Sequence, residues 1–444
     1  MAKFAGNSFA KNLAVSCCFS KAGAKVLHFF DIRKYFMKKI AYTVIFLLIA
    51  AVNYAQTHTR VFDENIRTLR AAREVILLDE PEPMQISFDE MSHDVHFYTY
   101  RVEMLHSDLL SGEYLRGFTT QDIVNYAHSI NTSREYTHYW FEFPNEEMQI
   151  LLSGQYRLTI YEDNDPDKKV AEVDLCVVEP KVKIEANVRS NTDEEFNGRY
   201  QQIDIDVNTA ALNVRDPNEV RVEVVQNNRL DNAVSLTQPT YFEPKRMRYI
   251  NRKDLIFEGG NEYHHFDAFS TYFAGTGIDR VYFEGGDYHV LLFADEVAKG
   301  SYISSPDANG RYLVNAERTQ DSDTEAEYMW VHWTLPAANP WFDGSLYVGG
   351  DIFNNEMNLR NRMQYDNDAR CYWLTALVKQ GGYDYQYWFV PKESKVESQK
   401  SKAKTTTQRV DGSYWQTGNE YAIYVWWRPF GARYDRLVGV SVVR

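Results

Sequence analysis

The chain has 444 residues, with 48 Lys or Arg, 62 Asp or Glu and a formal net charge of −14. Residues 1–56 hold eight basic residues and one acid, which leaves 40 basic and 61 acidic residues beyond them, a net charge of about −21. Such an acidic surface repels nucleic acid and anionic lipid, so neither is an expected partner.

Residues 37–55 have the pattern of a signal peptide. Met37-Lys38-Lys39 is a positively charged start, residues 40–52 are an almost unbroken apolar run, and a cleavage site follows Ala55. The run is shorter than the roughly 20 residues that a membrane-spanning helix needs, so a membrane anchor is the less favoured interpretation. Residues 1–36 precede a complete signal and are interpreted as an over-extended gene start. The mature chain is then an exported protein that begins near residue 56.

Alternation of apolar and polar residues dominates the mature chain. It is clearest at residues 156–160, 182–186, 203–207 and 220–224, and it predicts strands with one buried and one solvated face. No segment shows a sustained helical period between capping signals. Because turn signals such as Asn309-Gly310 recur at short intervals, the sequence predicts an all-β fold of tandem Ig-like or early-set β-sandwich domains.

Two breaks in this pattern divide the mature chain into three predicted domains. Glu179-Pro180 separates two strand patterns, and the acidic stretch 320–325 has no period. The predicted domains are an N-terminal sandwich at 56–179, a middle sandwich at 180–323 and a C-terminal early-set sandwich at 324–444. A Lys-, Ser- and Thr-rich stretch at 392–409 interrupts the last domain and predicts a long loop.

Three groups of residues suggest metal or thiol chemistry, and each also has a plain structural interpretation. The acids of 163–167 resemble the start of a calcium loop, but the sixth and twelfth positions lack the required Gly and Glu, which favours a hairpin tip. His264 and His265 are adjacent, so in a strand they point to opposite faces and cannot close on one ion. Cys176 and Cys371 could form a disulfide, although two buried thiols are favoured.

No motif indicates catalysis. The sequence has no Gly-x-Ser-x-Gly elbow, no Cys in a catalytic pattern and no Gly-rich phosphate loop before a helix. Paired acids are abundant, as expected by chance in so acidic a chain, and the separation that defines glycosidase carboxylates cannot be seen in sequence. A non-enzymatic protein without a cofactor or a bound metal is therefore predicted.

Residues 341–389 resemble the glycogen-binding type of early-set sandwich. The turn and alternating aromatics of 381–387 match that family's final motif, whereas the Gly-Gly to Phe-Asn run at 349–354 departs from its first. Glu356 stands where the sugar-stacking Trp is expected, and 391–394 lack the second Trp. The resemblance therefore implies a retained fold without the sugar site, so carbohydrate is not the expected ligand.

Residues 57–444 resemble the plug protein family of the type IX secretion system of Bacteroidota. The order of the following segments carries the resemblance: 113–118, 136–139, 153–156, 227–233, 257–262, 266–267, 349–354, 381–387 and 428–435. The resemblance implies a non-enzymatic periplasmic protein, associated with the outer membrane, that occludes the large translocon barrel from its periplasmic side when no substrate is passing. The alternative is a periplasmic or surface glycan-binding protein, and a hydrolase is a third, less favoured class.

One basic stretch on this acidic chain is a candidate partner contact. It contains Lys392, Lys395, Lys400, Lys402, Lys404 and Arg409. A solvated loop is the simpler interpretation of the same stretch.

The predicted fold is compatible with the role that the resemblance implies. A wide barrel encloses an aqueous lumen, and stiff sandwiches with loops at their ends suit a cap over it.

Overall fold

A computed structural model describes residues 58–72, 75–392 and 404–444. The predicted signal peptide and the residues before it lie outside these ranges. Nearly all regular structure is strand, and the sheets pack as sandwiches around three large apolar cores. The predicted all-β fold of tandem sandwiches is confirmed. We call the parts built around these cores the first, second and third modules.

The first module holds the strands up to Val178. They are β1 His58–Val61, β2 Ile66–Ala71, β3 Val75–Leu77, β4 Met84–Glu90, β5 Tyr98–Met104, β6 Leu115–Gly117, β7 Thr120–Ile123, β8 Asn125–His128, β9 Thr137–Phe143, β10 Met148–Ile150, β11 Gly154–Glu162 and β12 Lys169–Val178, with the short helix α1 Ser111–Tyr114. One sheet has the order β1-β12-β11-β5-β7, with β3 parallel to β12, and the facing sheet has the order β2-β4-β9-β8. A small β6-β10 pair lies beside them.

Aromatic side chains fill the first core. Phe88 stacks on Tyr139, and Tyr98 contacts both rings edge-on, with ring centroids 4.9 to 5.2 Å apart. Each such pair contributes about 0.5–1.5 kcal/mol beyond its area burial. The predicted hairpin tip at 163–167 is confirmed: it joins β11 to β12, with Asp163 and Asn164 in the left-handed conformation that short polar residues tolerate.

The second module begins at Lys183. Its first strands are β13 Lys183–Arg189, β14 Tyr200–Asn208, β15 Val220–Gln226, β16 Val234–Leu236, β17 Tyr241–Glu243, β18 Arg246–Tyr249 and β19 Ile256–Glu258. The third module follows with β20 His264–Asp267, β21 Ile278–Glu284, β22 Asp287–Leu292, β23 Tyr312–Val314, helix α2 Ser322–Glu325, β24 Tyr328–Pro336, β25 Gly344–Gly349, β26 Gln364–Asp366, β27 Cys371–Lys379 and β28 Gly381–Pro391. The chain ends with β29 Tyr421–Trp427 and β30 Arg436–Val443, and single 3-10 turns occur at Pro217–Glu219, Lys253–Leu255 and Asp351–Phe353.

The last two strands return to the second module. They extend its sheet in the order β16-β15-β29-β30, opposite the sheet β13-β14-β18-β17, in which β19 also pairs with β14. Val220, Val222 and Val224 of β15 then share one core with Ile423 and Val425 of β29. Burial of such a side chain contributes about 1.5–3 kcal/mol, so β29 and β30 complete the second core.

The third module consists of the sheet β21-β22-β24-β27-β26 and a second sheet in which β20, β23 and β25 all pair with the long strand β28. Strands β20, β21 and β22 thus belong to the third core, although they precede the predicted boundary at 324. The grouping of strands differs from the predicted boundaries there and at β29–β30. The number and limits of independently folding domains remain a prediction.

An apolar joint connects the first and second modules. Cys176 and Val178 of β12 pack against Val225, Trp426 and Leu437 of the second module. This cluster is separate from the three cores and is fully buried, so the two sandwiches share a dry interface.

The two cysteines of the described residues are not joined in a disulfide. Cys176 is buried and Cys371 is half-buried. In the part of the chain that the structure describes, no helix has the length and apolarity that a bilayer crossing requires.

Candidate partner-binding surface

The described residues of the predicted basic contact are engaged with their own module. The Arg409 guanidinium lies between the rings of Trp341 and Phe389, 4.7 and 4.2 Å from their centroids, and donates to Asp343 at 2.6 Å. Lys392 donates to the carbonyl of Phe342 at 2.7 Å. These contacts account for Arg409 and Lys392 without a partner.

The other members of the basic stretch are one exposed lysine and three lysines outside the described residues. Lys404 is exposed, with its Nζ 6.0 Å from the ring centroid of Phe257. Lys395, Lys400 and Lys402 lie outside the described residues. A partner contact through these residues stays a prediction.

The Gly-Gly to Phe-Asn motif makes a structural turn. The ring of Trp388 would lie 2.1 Å from a Cβ at Gly349, and Gly350 has φ +136°, so neither position accepts another residue without strain. Past the 3-10 turn, Asn354 donates to Thr59 Oγ1 at 2.5 Å, and the Glu356 carboxylate lies 3.4 Å from His58 Nε2. The position expected for a sugar-stacking Trp instead contacts the first module.

His264 and His265 are held by carboxylates on two sides of β20. His264 lies 2.9 Å from Asp411 and 3.1 Å from Asp295, whereas His265 lies 2.7 Å from Asp384 and 2.9 Å from Asp267. Among the described residues, no group of three or more His, Cys, Asp or Glu has metal-binding geometry.

The carboxylates determine the protonation of both imidazoles. Burial opposes the charge on His264, but Asp411 and Asp295 outweigh it and raise its pKa to about 10. The hydrogen bond that His265 donates to Asp384, together with the contact to Asp267, raises the pKa of His265 to about 9 despite partial burial. Both residues are therefore cations at neutral pH, in structural ion pairs.

A buried polar joint connects the first and third modules. Lys379, at the end of β27, donates its Nζ to Asp89 Oδ2 of β4 at 2.6 Å and to the carbonyl of Asp323 at 2.6 Å. Asp89 also contacts His138 Nδ1 at 2.6 Å and accepts from the Tyr328 hydroxyl at 2.7 Å. Lys379 and Asp89 are completely buried, so no substrate could reach them.

The pKa values of the joint follow from burial and pairing. Burial alone would raise the pKa of Asp89, but Lys379 and His138 outweigh it and hold that pKa below the usual range. Burial lowers the pKa of Lys379, and attraction to Asp89 offsets this only in part. Loss of either partner would leave an uncompensated buried charge, which makes the joint specific for this docking of the two modules.

Further ion pairs surround the joint. Arg134 of the first module forms a two-pronged pair with Asp287 of β22, at 3.2 and 2.7 Å. The Glu327 carboxylate accepts from the backbone and hydroxyl of Ser133 at 2.6 to 2.9 Å. Bidentate geometry of this kind adds direction to the attraction, so the modules are fixed in orientation as well as in contact.

An apolar patch lies on one edge of the first module, at Phe97, Val124 and Tyr126. We call it the edge patch. These side chains are 76%, 73% and 44% exposed. Phe97 and Val124 lie one residue beyond the Tyr98–Ile123 pair of β5 and β7, and Tyr126 lies on β8. Exposed apolar side chains on neighbouring strand ends offer a surface that a partner could bury.

The backbone at the edge patch is also suited to a partner. Strand β7 is the last strand of one sheet and β8 is the last strand of the other, so the chain changes sheets at Val124. Edge strands present backbone donors and acceptors to which another chain can pair. Sequence reasoning missed this surface because an isolated apolar residue between two strands looks the same whether it is buried or exposed.

The fold and these surfaces define a protein of stiffly joined β-sandwiches with an exposed apolar edge. A family model described as the type 9 secretion system plug protein first domain matches residues 57–179. Over residues 57–179 the chain belongs to the plug protein family of the type IX secretion system, the family that its sequence motifs predicted. Proteins of this family are components of the type IX secretion system.

A solved structure extends the similarity over the rest of the chain. The crystal structure of a hypothetical protein from Parabacteroides merdae is 35% identical and has a TM-score of 0.83, and the match covers 88% of this chain and 100% of that one. No curated protein matches the chain.

Proposed function

We propose that the chain is a non-enzymatic plug subunit that occludes the periplasmic mouth of the outer-membrane translocon barrel when no substrate is passing. The family match at residues 57–179 carries this proposal. The edge patch lies within the matched residues, so the first module offers an exposed apolar surface for the barrel.

The joints between modules support the same role. A cap over a wide aqueous lumen must resist bending, and here a dry apolar cluster and a buried ion pair fix the first module to the other two. A reversible cap also favours an interface of moderate size and mixed polarity over one that resembles a protein core. The edge patch, with its few large side chains, suits such an interface.

Two measurements test the proposal. Affinity purification of the tagged chain from its own cells should recover a large outer-membrane barrel as the main partner. Cells that lack the chain should show increased envelope permeability to a hydrophilic dye while the barrel is in its resting state. Unchanged permeability in those cells would contradict plugging, whatever the purification recovers.

The proposed periplasmic location has its own test. N-terminal sequencing of the mature protein should give a chain that begins near Gln56, and fractionation should place it in the periplasm with the outer membrane. A mature protein that retains residues 1–36 in the cytoplasm would contradict export.

A further inference from the structure

A cavity of about 390 Å³ lies between the start of the first module and the third module. Trp330 of β24 and Trp373 of β27 line it from the sheet, and the loop at 352–364 and the segment at 61–68 form its other walls. Its volume falls in the range of about 300–1000 Å³ that small-molecule sites occupy. It is distinct from the edge patch, and its wall includes Glu356, which stands where the sugar-stacking Trp is expected.

Three arginines line this cavity without a carboxylate partner. Within the described ranges, Arg67, Arg360 and Arg362 form no ion pair with an acid, although most arginines of the chain do. Arg67 donates to the carbonyl of Ile66 at 3.0 Å, and Arg360 donates to that of Asp63 at 2.9 Å. Arg67 also donates to the carbonyl of Glu64. All of these acceptors are backbone oxygens, so no carboxylate of the described residues lies in direct contact with the three guanidinium groups.

The one acid among the lining residues is already engaged. Glu356 faces His58 at 3.4 Å and accepts from the Asn358 amide at 3.2 Å. Burial and, next, the charge of Arg360 lower the pKa of Arg67, and the attraction of Tyr328, Glu64 and Asp63 offsets this only in part. Two cations that repel one another therefore lie at one cavity, and a bound anion would relieve that repulsion.

A local distortion of the backbone directs one of these arginines. The register of β2 against β4 shifts between Arg67 and Arg70, and Thr68 within this bulge has φ +49°. Such a φ is an outlier for a β-branched residue, and it is held here by contact of Thr68 Oγ1 with the Tyr328 hydroxyl at 2.6 Å. Bulges commonly re-aim a side chain next to a binding site.

From this geometry we propose that the cavity binds a small organic anion. The arginines hold its oxyanion group, a carboxylate or a phosphate, and Trp330 and Trp373 contact its ring or apolar portion. Guanidinium groups match both oxyanions through paired N–H donors, and the exposed part of Trp373 offers a flat face at the cavity. Since Arg67 belongs to the first module and Arg360 to the third, the anion also contributes a contact between them.

Titration calorimetry and thermal unfolding of the full mature chain test this proposal. The probes are glucuronate, glucose 6-phosphate and benzoate, with uncharged glucose as the neutral comparison. At least one anion should bind saturably and raise Tm, and its affinity should fall as salt screens the arginines. A preference for glucuronate or benzoate assigns a carboxylate, and a preference for glucose 6-phosphate assigns a phosphate.

Variants distinguish this cavity from adventitious sites. The double variant Arg360→Ala/Arg362→Ala should lose at least about tenfold in affinity. Arg116→Ala removes one positive charge from an exposed strand elsewhere, the same charge as Arg362→Ala removes, and should leave affinity unchanged. Because Arg362 is exposed, Arg362→Ala alone should fold normally. This single variant therefore replaces the double variant in the test if the double variant misfolds.

Three outcomes would overturn the proposal. The first is no saturable binding of any anion up to about 10 mM, at which even a Kd of about 1 mM would approach saturation. The second is equal affinity in the arginine variants and the parent chain. The third is equal binding of glucose, which would indicate a neutral sugar site instead. None of these outcomes bears on plugging, so the two proposals fail separately.

Discussion

At the scale of single residues, the Lys379–Asp89 pair is the most sensitive position in the chain. Lys379→Met keeps much of the side-chain volume and leaves Asp89 buried without its main counter-charge. We expect a loss of about 3–5 kcal/mol in the free energy of unfolding, the usual cost of breaking a buried pair from one side. Urea unfolding measures this loss, with the exposed Lys392→Met as the matched control.

A double variant separates an unpaired charge from lost packing. In Lys379→Met/Asp89→Asn no uncompensated charge remains, so part of the stability should return. A single variant that loses under about 1 kcal/mol, or a double variant that is no better than the single one, would contradict this account of the joint.

The raised pKa of His264 predicts how the free energy of unfolding depends on pH. Its pKa is raised to about 10 in the folded chain, against about 6.5 when unfolded. The folded chain therefore holds a proton between these values that the unfolded chain releases. Its stabilising contribution is complete below pH 6.5 and is lost as pH rises toward 10.

The variant His264→Gln isolates this contribution. It should lower stability by about 1–3 kcal/mol at pH 6 and by much less at pH 10, since the site is partly solvated. Chemical unfolding at both pH values measures the difference, and an equal loss at both would show that the ion pairs with Asp411 and Asp295 are not its source.

At the scale of elements, the strands themselves could be predicted from the sequence. Alternation at 156–160, 203–207 and 220–224 marked β11, β14 and β15 correctly, because one buried face imposes a period of two. The pairing of β15 with β29 could not be predicted, since Val222 and Val425 meet across some 200 residues and every amphipathic strand has the same pattern. The burial of Lys379 could not be predicted either, because a Lys at a strand end is ordinarily solvated.

Gly349 of β25 tests how tightly a strand can constrain one residue. In Gly349→Ala the new Cβ would meet the fully buried Trp388 ring at 2.1 Å. Neither the ring nor the strand can move away easily, so we expect a loss of about 1–3 kcal/mol in the free energy of unfolding. Thermal unfolding measures it, and Gly112→Ala, where nothing lies within 4 Å, is the control. Equal Tm values for both variants would contradict this packing.

The edge patch predicts a change in binding without a change in stability. Val124→Lys places a charge where the proposed barrel contact buries an apolar side chain, so affinity should fall at least about tenfold. The free energy of unfolding should change by no more than about 0.5 kcal/mol, because Val124 is mostly exposed. Val442→Lys, on the terminal strand β30, is the matched control.

Co-purification of the barrel with each variant gives the result. Loss with Val124→Lys and retention with Val442→Lys assigns the contact to the edge patch. Equal recovery of the barrel with both variants would show that the edge patch is not part of the interface, and it would not affect the family relationship.

At the scale of the whole molecule, the joints decide whether the sandwiches behave as one body. Residues Ala55–Arg444 form one compact unit, and the joints that bind the first module to the others are as buried as the cores. Modules that share so much buried surface stabilise one another, so we expect a single calorimetric unfolding transition whose calorimetric and van't Hoff enthalpies agree. Independent modules would instead unfold in separate steps.

Two cavity-creating substitutions test this coupling. Leu437→Ala removes side-chain volume from the apolar joint, and Leu346→Ala removes the same volume from the third core. Each should cost about 2–5 kcal/mol, but only Leu437→Ala should broaden or split the transition, because it weakens the contact through which one module stabilises the next. Separate transitions in the parent chain would show that the joints do not couple the modules, and the stiffness invoked for a cap would then lose its physical basis.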